Sequence, residues 1–150
     1  MSKIILLIFL ISCGTSCQNS QKEIDAKSKL FEIELLSGNQ LLQEAESDIM
    51  EWKELRLAIQ NLEASKRENA ELIRLDKNLD RFITKLVGYK RELQNWNNMN
   101  NDFSTMKKKN VIKMSNRRLK AAKDINKNIV KLQGTGNRVA ATIKKEFLNK

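Results

Sequence analysis

The chain predicts an all-α fold, an antiparallel helical bundle of long, amphipathic, coiled-coil-like helices. Three observations predict it. Apolar residues recur at steps of three and four along most of the 150 residues. There is no Pro and there are only five Gly, so little interrupts a helix. Lys, Glu, Leu, Asn and Ile are abundant while aromatics make up 5% of the chain, a mix suited to long helices with few tight turns.

The elements follow in order over a bundle domain at 21–150. Ser20-Gln21-Lys22-Glu23 has capping-box spacing. A helix over 21–36 follows, with Ile24, Phe31 and Leu35 on one side and Leu30 and Ile33 near it. Ser37-Gly38-Asn39 reads as its stop, with Gly38 as a C-cap. Residues 40–64 read as a helix through Leu42, Ala45, Ile49, Trp52, Leu55, Ile59 and Leu62. Ser65-Lys66-Arg67-Glu68 is another capping-box candidate, and it leaves open whether 40–96 is one helix or two.

From 66 to 96 the pattern is cleanest. Leu72, Leu75, Leu79, Phe82, Leu86, Tyr89, Leu93 and Trp96 alternate three and four apart, a heptad seam of the kind found in bundles and coiled coils. Gly88 lies inside it and costs about 1 kcal/mol relative to Ala, which the seam should survive. Residues 95–102 hold five Asn in eight positions and predict a reversal. A basic helix is expected over 103–132, a break at Gln133-Gly134-Thr135-Gly136-Asn137, and a last helix over 138–148 with Val139, Ile143 and Phe147 inward. Each long helix needs partners, so a self-associating coiled coil, a homo-oligomer, is the architectural rival. Trp52 and Trp96 fall on seams and read as core.

Charge is uneven. Residues 1–102 carry 14 basic and 16 acidic side chains, a net of −2, and residues 103–150 carry 14 and two, a net of +12, so all the net positive charge of the +10 chain lies in the last third. On a helical projection of 103–132, Val111, Met114, Ala121, Ala122, Ile125, Ile129 and Leu132 share one side. Lys109, Lys113, Arg117, Lys120, Lys127 and Lys131 form a stripe on the other, with Asp124 its one acid and Lys107, Lys108, Arg118 and Lys123 flanking. At about 1.5 Å per residue the stripe is about 33 Å long. It reads either as a solvated face or as a docking surface for a linear polyanion or an acidic protein, with strong salt dependence in the second case.

There is no histidine, which removes the usual general base near neutral pH and the commonest metal ligand. No nucleophile elbow, P-loop, dinucleotide fingerprint or zinc-protease pattern is present. The expectation is therefore a non-enzymatic protein with no cofactor and no metal site. Glu44, Asp48 and Glu51 share a helix face, and they read as solvated or paired with cations from the basic third rather than as a cation site.

The first residues address the protein. Ile4 to Ile11 is an apolar run of eight, far short of the roughly 20 residues of a bilayer span. With Lys3 before it and small residues after it, the segment 1–12 reads as a signal peptide. Leu10-Ile11-Ser12-Cys13 resembles the lipobox of bacterial lipoprotein precursors. The resemblance implies lipidation of Cys13 and cleavage just before it. Gly14-Thr15-Ser16-Cys17 is a competing site with Gly where the lipobox prefers Leu, and an ordinary cleaved signal is the plain alternative. Residues 13–20 then read as lipidated cysteine and short polar tether. Several acyl chains hold a protein stably in a bilayer where one does not. Gly14 stands where Asp would signal inner-membrane retention in the enterobacterial version, so the resemblance leans to an outer membrane.

Together with the Lys/Asn/Ile-rich helical pattern, the lipobox is similar to the small helical surface lipoproteins of spirochaetes. That similarity implies display on the outer membrane as a surface antigen that binds host ligands. The expected function is a surface-exposed, adhesin-like lipoprotein that binds a glycosaminoglycan or an acidic host or envelope protein through the basic stripe. Export makes nucleic acid an unsuitable partner, and no aromatics are interleaved for base stacking. The alternatives are a periplasm-facing structural or assembly lipoprotein acting through helix association, and a phage- or plasmid-encoded exclusion lipoprotein.

Overall fold

The computed structural model describes residues 2–99, 103 and 105–148, with side chains from residue 19 onward. It is all-α: α1 (Ser2–Gln60), α2 (Ala64–Arg67), α3 (Ala70–Asn98) and α4 (Lys108–Ile143), closed by a π-helical turn at Lys144–Leu148. Three long helices pack side by side. Arg56 of α1 meets Asp76 and Asp80 of α3, and Glu46 meets Lys90, so these two helices are antiparallel. Along α1, Lys27, Glu34 and Glu51 meet Asn116, Asn126 and Lys144 of α4, so the first and last long helices run parallel. This up-down-up order is what two reversals in a three-helix bundle require.

The core is a continuous seam. Phe31, Leu35, Leu42, Ala45 and Trp52 of α1 face Leu72, Leu79, Leu86 and Leu93 of α3 and Ala122, Ile125, Ile129 and Ile143 of α4. Each fully buried Leu or Ile contributes about 1.5–3 kcal/mol, so packing outweighs local propensity. Of the α3 heptad seam, Leu72, Leu75, Leu79, Leu86 and Leu93 are buried, whereas Phe82, Tyr89 and Trp96 are half-buried against the core and Ile83 joins it.

Two expected breaks are absent. Gly38 does not cap a helix: α1 runs through Ser37-Gly38-Asn39, as it runs through 13–20. Gly134 and Gly136 do not end α4, which continues to Ile143. Glycine stops a helix when the chain needs a left-handed cap, and no glycine here has positive φ. Instead Gly38 and Gly136 are buried where neighbouring helices come close. A Cβ on Gly38 would lie 2.5 Å from Asn126 Oδ1 and 2.7 Å from Leu93 Cδ1, and one on Gly136 would overlap the Trp52 ring.

The break at 61–69 is real, so 40–96 is shared by two long helices, α1 and α3, with the single turn of α2 between them. Asn61 N–H bonds back to Leu57 and Ala58 carbonyls, and Arg67 donates to the Gln60 carbonyl at 3.3 Å, satisfying an orphan acceptor at the end of α1. The cap of α3 is Asn69 rather than Ser65. Its Oδ1 accepts from Glu71 N at 3.0 Å and Leu72 N at 3.2 Å. The second reversal follows Asn98, and α4 opens at Lys108 rather than 103. Lys107, Lys108 and Lys109 at its start run against the helix dipole, which favours anions there.

Candidate functional site

The stripe lies on α4, and the rest of the bundle decides which way it points. Val111, Ala122, Ile125, Ile129 and Ile143 are buried, which turns the opposite side outward. Polar ties to α1 fix the rotation of the helix. Asn126 Nδ2 donates to the Glu34 carbonyl at 2.9 Å and to its carboxylate at 2.8 Å. Gln133 and Asn137 donate to Asp48 at 2.7 and 3.1 Å, and Trp52 Nε1 donates to Asn137 Oδ1 at 3.0 Å. A rotation of α4 would break all of these and expose its apolar side.

Lys109, Lys113, Arg117, Lys120, Lys127 and Lys131 are all exposed on that outer face. None of the six makes an ion pair among the described residues. Asp124 is exposed within the stripe. The contrast with α1 and α3 is chemical. There, Arg56 bridges Asp76 at 2.7 Å and Asp80 at 2.5 Å, and the Asp76 hydrogen bond holds the guanidinium pKa above its ordinary value. Lys90 meets Glu46 at 2.6 Å. Arg56 and Lys90 thus have acids to answer them, whereas the α4 face presents one acid among six cations.

The flanking residues divide. Lys107, Lys108 and Lys123 are exposed, while Arg118 is half-buried and turns away from the stripe it flanks in sequence. Its guanidinium lies over the Phe103 ring, 5.2 Å from the centroid, and donates to Met99 Sδ at 3.7 Å. It borders a cavity of about 210 Å³ lined by Phe31, Trp96, Phe103, Lys27 and Ser115. The Phe31 and Trp96 rings meet there at 5.8 Å. Lys27 is already engaged, with Glu23 at 2.7 Å and with Asn116 Oδ1.

The acidic trio of α1 is engaged as well. Glu44 accepts from Gln40 at 3.1 Å, Asp48 from Gln133 and Asn137, and Glu51 pairs with Lys144 at 2.8 Å. Among the described residues no group of three or more potential metal ligands converges. Trp52 is fully buried, and Trp96 half-buried. The side chains of Cys13 and Cys17 lie outside the described side chains. Among the described residues no helix is long and apolar enough to cross a membrane.

Sequence reasoning missed Ser115, Asn126 and Gly136 as inward residues of α4. For Ser115 and Gly136 spacing was the available signal: 115, 122, 129 and 136 are seven apart, on the row of Ala122 and Ile129, whereas Asn126 lies off that row. Comparison of the chain with protein-family models, with curated proteins and with solved structures finds no match.

Proposed function

We propose that the protein is a lipid-anchored, non-enzymatic binding protein at the cell envelope, adhesin-like, which docks a linear polyanion such as a glycosaminoglycan, or an acidic protein surface, on the outer face of α4. The observation that carries this reading is the row of six exposed cations on a helix whose rotation is fixed by the core and by the Asn126, Gln133 and Asn137 ties. A cationic row on a fixed helix meets an extended polyanion with its backbone already ordered, so that only side-chain rotamers are left to settle on binding. The lipobox resemblance at Leu10 to Cys13 supports the anchor, and Gly14 in place of Asp supports the outer-membrane location.

The test is heparin chromatography of the mature chain in detergent, with a salt gradient and a basic control protein of similar size and charge. Elution well above the control supports an organised site. Replacing Lys113, Arg117, Lys120 and Lys127 with Gln removes that difference while far-UV circular dichroism stays unchanged. Elution with the control, or retention unaffected by the four substitutions, sinks the reading.

A second reading, helix-mediated self-association of an envelope lipoprotein, draws on a different surface. Leu36, Met50 and Leu57 on α1 are 70%, 63% and 59% exposed and stand on one row, seven or fourteen residues apart, beside exposed Leu30 and Ile33. Isolated exposed apolar residues are ordinary, but a row on one helix suits a second copy. A sedimentation run that finds only monomer at micromolar concentration removes this reading and leaves the first untouched.

A further inference from the structure

The end of the bundle nearest the N-terminus has its own chemistry. Gln21 and Ile24 of α1 share a shallow depression with Phe103, Met106, Lys108 and Val111. Among the described residues, α1 continues beyond this level toward residue 2, past the end of α3 and the start of α4. The tip presents three consecutive lysines, Lys107, Lys108 and Lys109, all exposed. They make no ion pair among the described residues. Met106, which lines the same depression as Lys108, is 39% exposed. Residues 99–109 contain one acid, Asp102.

We infer that this tip is a second contact with the membrane, resting its lysines on anionic lipid headgroups and Met106 at the interface, so that the bundle stands on the bilayer with the α4 stripe leading away from it. This rests on the proposed anchor at Cys13. Cys13 precedes Gln21 by eight residues, about 12 Å along a helix. The headgroup layer is about 5–8 Å deep on each side and the screening length about 8 Å at physiological salt. Lysines at the level of Gln21 therefore lie within the field of the surface to which the cysteine would be tied. Acyl chains fix only one point of the protein. A basic, methionine-bearing tip on a different helix supplies the second point that sets its orientation. The partner is the bilayer rather than a soluble polyanion because the tip is short and lies at the anchored end, whereas the stripe runs up the side.

The test uses the mature protein reconstituted into vesicles of phosphatidylcholine alone or of phosphatidylcholine with phosphatidylglycerol. A membrane-impermeant amine-acylating reagent is pulsed from outside, and each lysine is read by peptide mass spectrometry. Lys107 and Lys108 should react about fivefold more slowly on the anionic vesicles than on the neutral ones, the protection expected for about 1 kcal/mol per lysine near such a surface. Lys127 and Lys131 should react alike on both. Equal reactivity of Lys107 and Lys108 on the two vesicles overturns the inference, as does equal protection of Lys127 and Lys131, which would mean that the bundle lies stripe-down. The mass of the N-terminal peptide reports acylation separately. If Cys13 carries no lipid the anchor reading falls, and the inference, which rests on it, falls with it. Acylation without protection of Lys107 and Lys108 removes the inference alone.

Discussion

Gly136 of α4 lies against the six-membered ring of Trp52 of α1, so close that any side chain at 136 would occupy the space of the indole. Trp52 is fully buried and donates its Nε1–H to Asn137, the residue next to that glycine. One tryptophan thus reads two adjacent residues of α4: an absence of side chain, and an acceptor. The contact sets both the spacing and the register of the two parallel helices.

Gly136→Ala should therefore destabilise the bundle by about 1–3 kcal/mol, an overpacking cost that exceeds the gain in helix propensity. Gly134, two residues earlier, has nothing within 4 Å of a built Cβ. Gly134→Ala should stabilise by about 0.5–1 kcal/mol, the ordinary benefit in a helix interior. Urea unfolding of the two variants should move the midpoint in opposite directions. Equal effects would mean that the Trp52 contact does not govern position 136.

Gly38 makes the corresponding contact at the other close approach, with Asn126 and Leu93. Asn126 is 8% exposed, with its Oδ1 unpartnered among the described residues. Gly38→Ala alone should cost about 1–3 kcal/mol. In the Gly38→Ala/Asn126→Ala double variant the Cβ no longer meets the amide, so the two losses should not add; a coupling of about 0.5–3 kcal/mol is expected for residues in contact. Strict additivity in a thermal or urea cycle would contradict the packing.

These two glycines also explain what could and could not be read from the chain. The α3 seam was legible because Leu72, Leu79, Leu86 and Leu93 state their burial by periodicity. The reversal after Asn98 was legible because asparagine competes with helix through its own side chain. Gly38 and Gly136 were read as stops because, locally, glycine is a stop. Their role depends on Asn126 and Trp52, which lie 88 and 84 residues away in sequence. The cationic row was legible as a pattern. That Arg118, which flanks the row, packs instead over Phe103 depends on a loop conformation that helical spacing does not describe.

Asn69 caps α3 through two backbone N–H groups, so Asn69→Ala should cost about 1 kcal/mol, within the range of about 0.5–2 for lost caps. Asn69→Asp should keep most of it, since the carboxylate accepts the same bonds and suits the helix dipole. Comparing the two by thermal unfolding checks the assignment. Equal loss in both would point away from capping.

The cationic row makes a prediction about salt that bulk charge does not share. Each cation engaged by a linear polyanion releases about 0.7–0.9 of a counterion, on the scale established for nucleic acids. Replacing Lys113, Arg117, Lys120 and Lys127 with Gln should then lower the slope of log affinity against log salt by about 3 if all four are engaged. Four substitutions at cations outside the row, Lys53, Lys66, Lys77 and Arg91, remove the same formal charge from exposed positions of α1, α2 and α3. They should leave the slope nearly unchanged. The comparison holds net charge constant between the two variants, so a difference in slope isolates the arrangement on α4. Identical slopes, measured by titrating heparin oligosaccharide at several salt concentrations, would reduce the row to a solvated face.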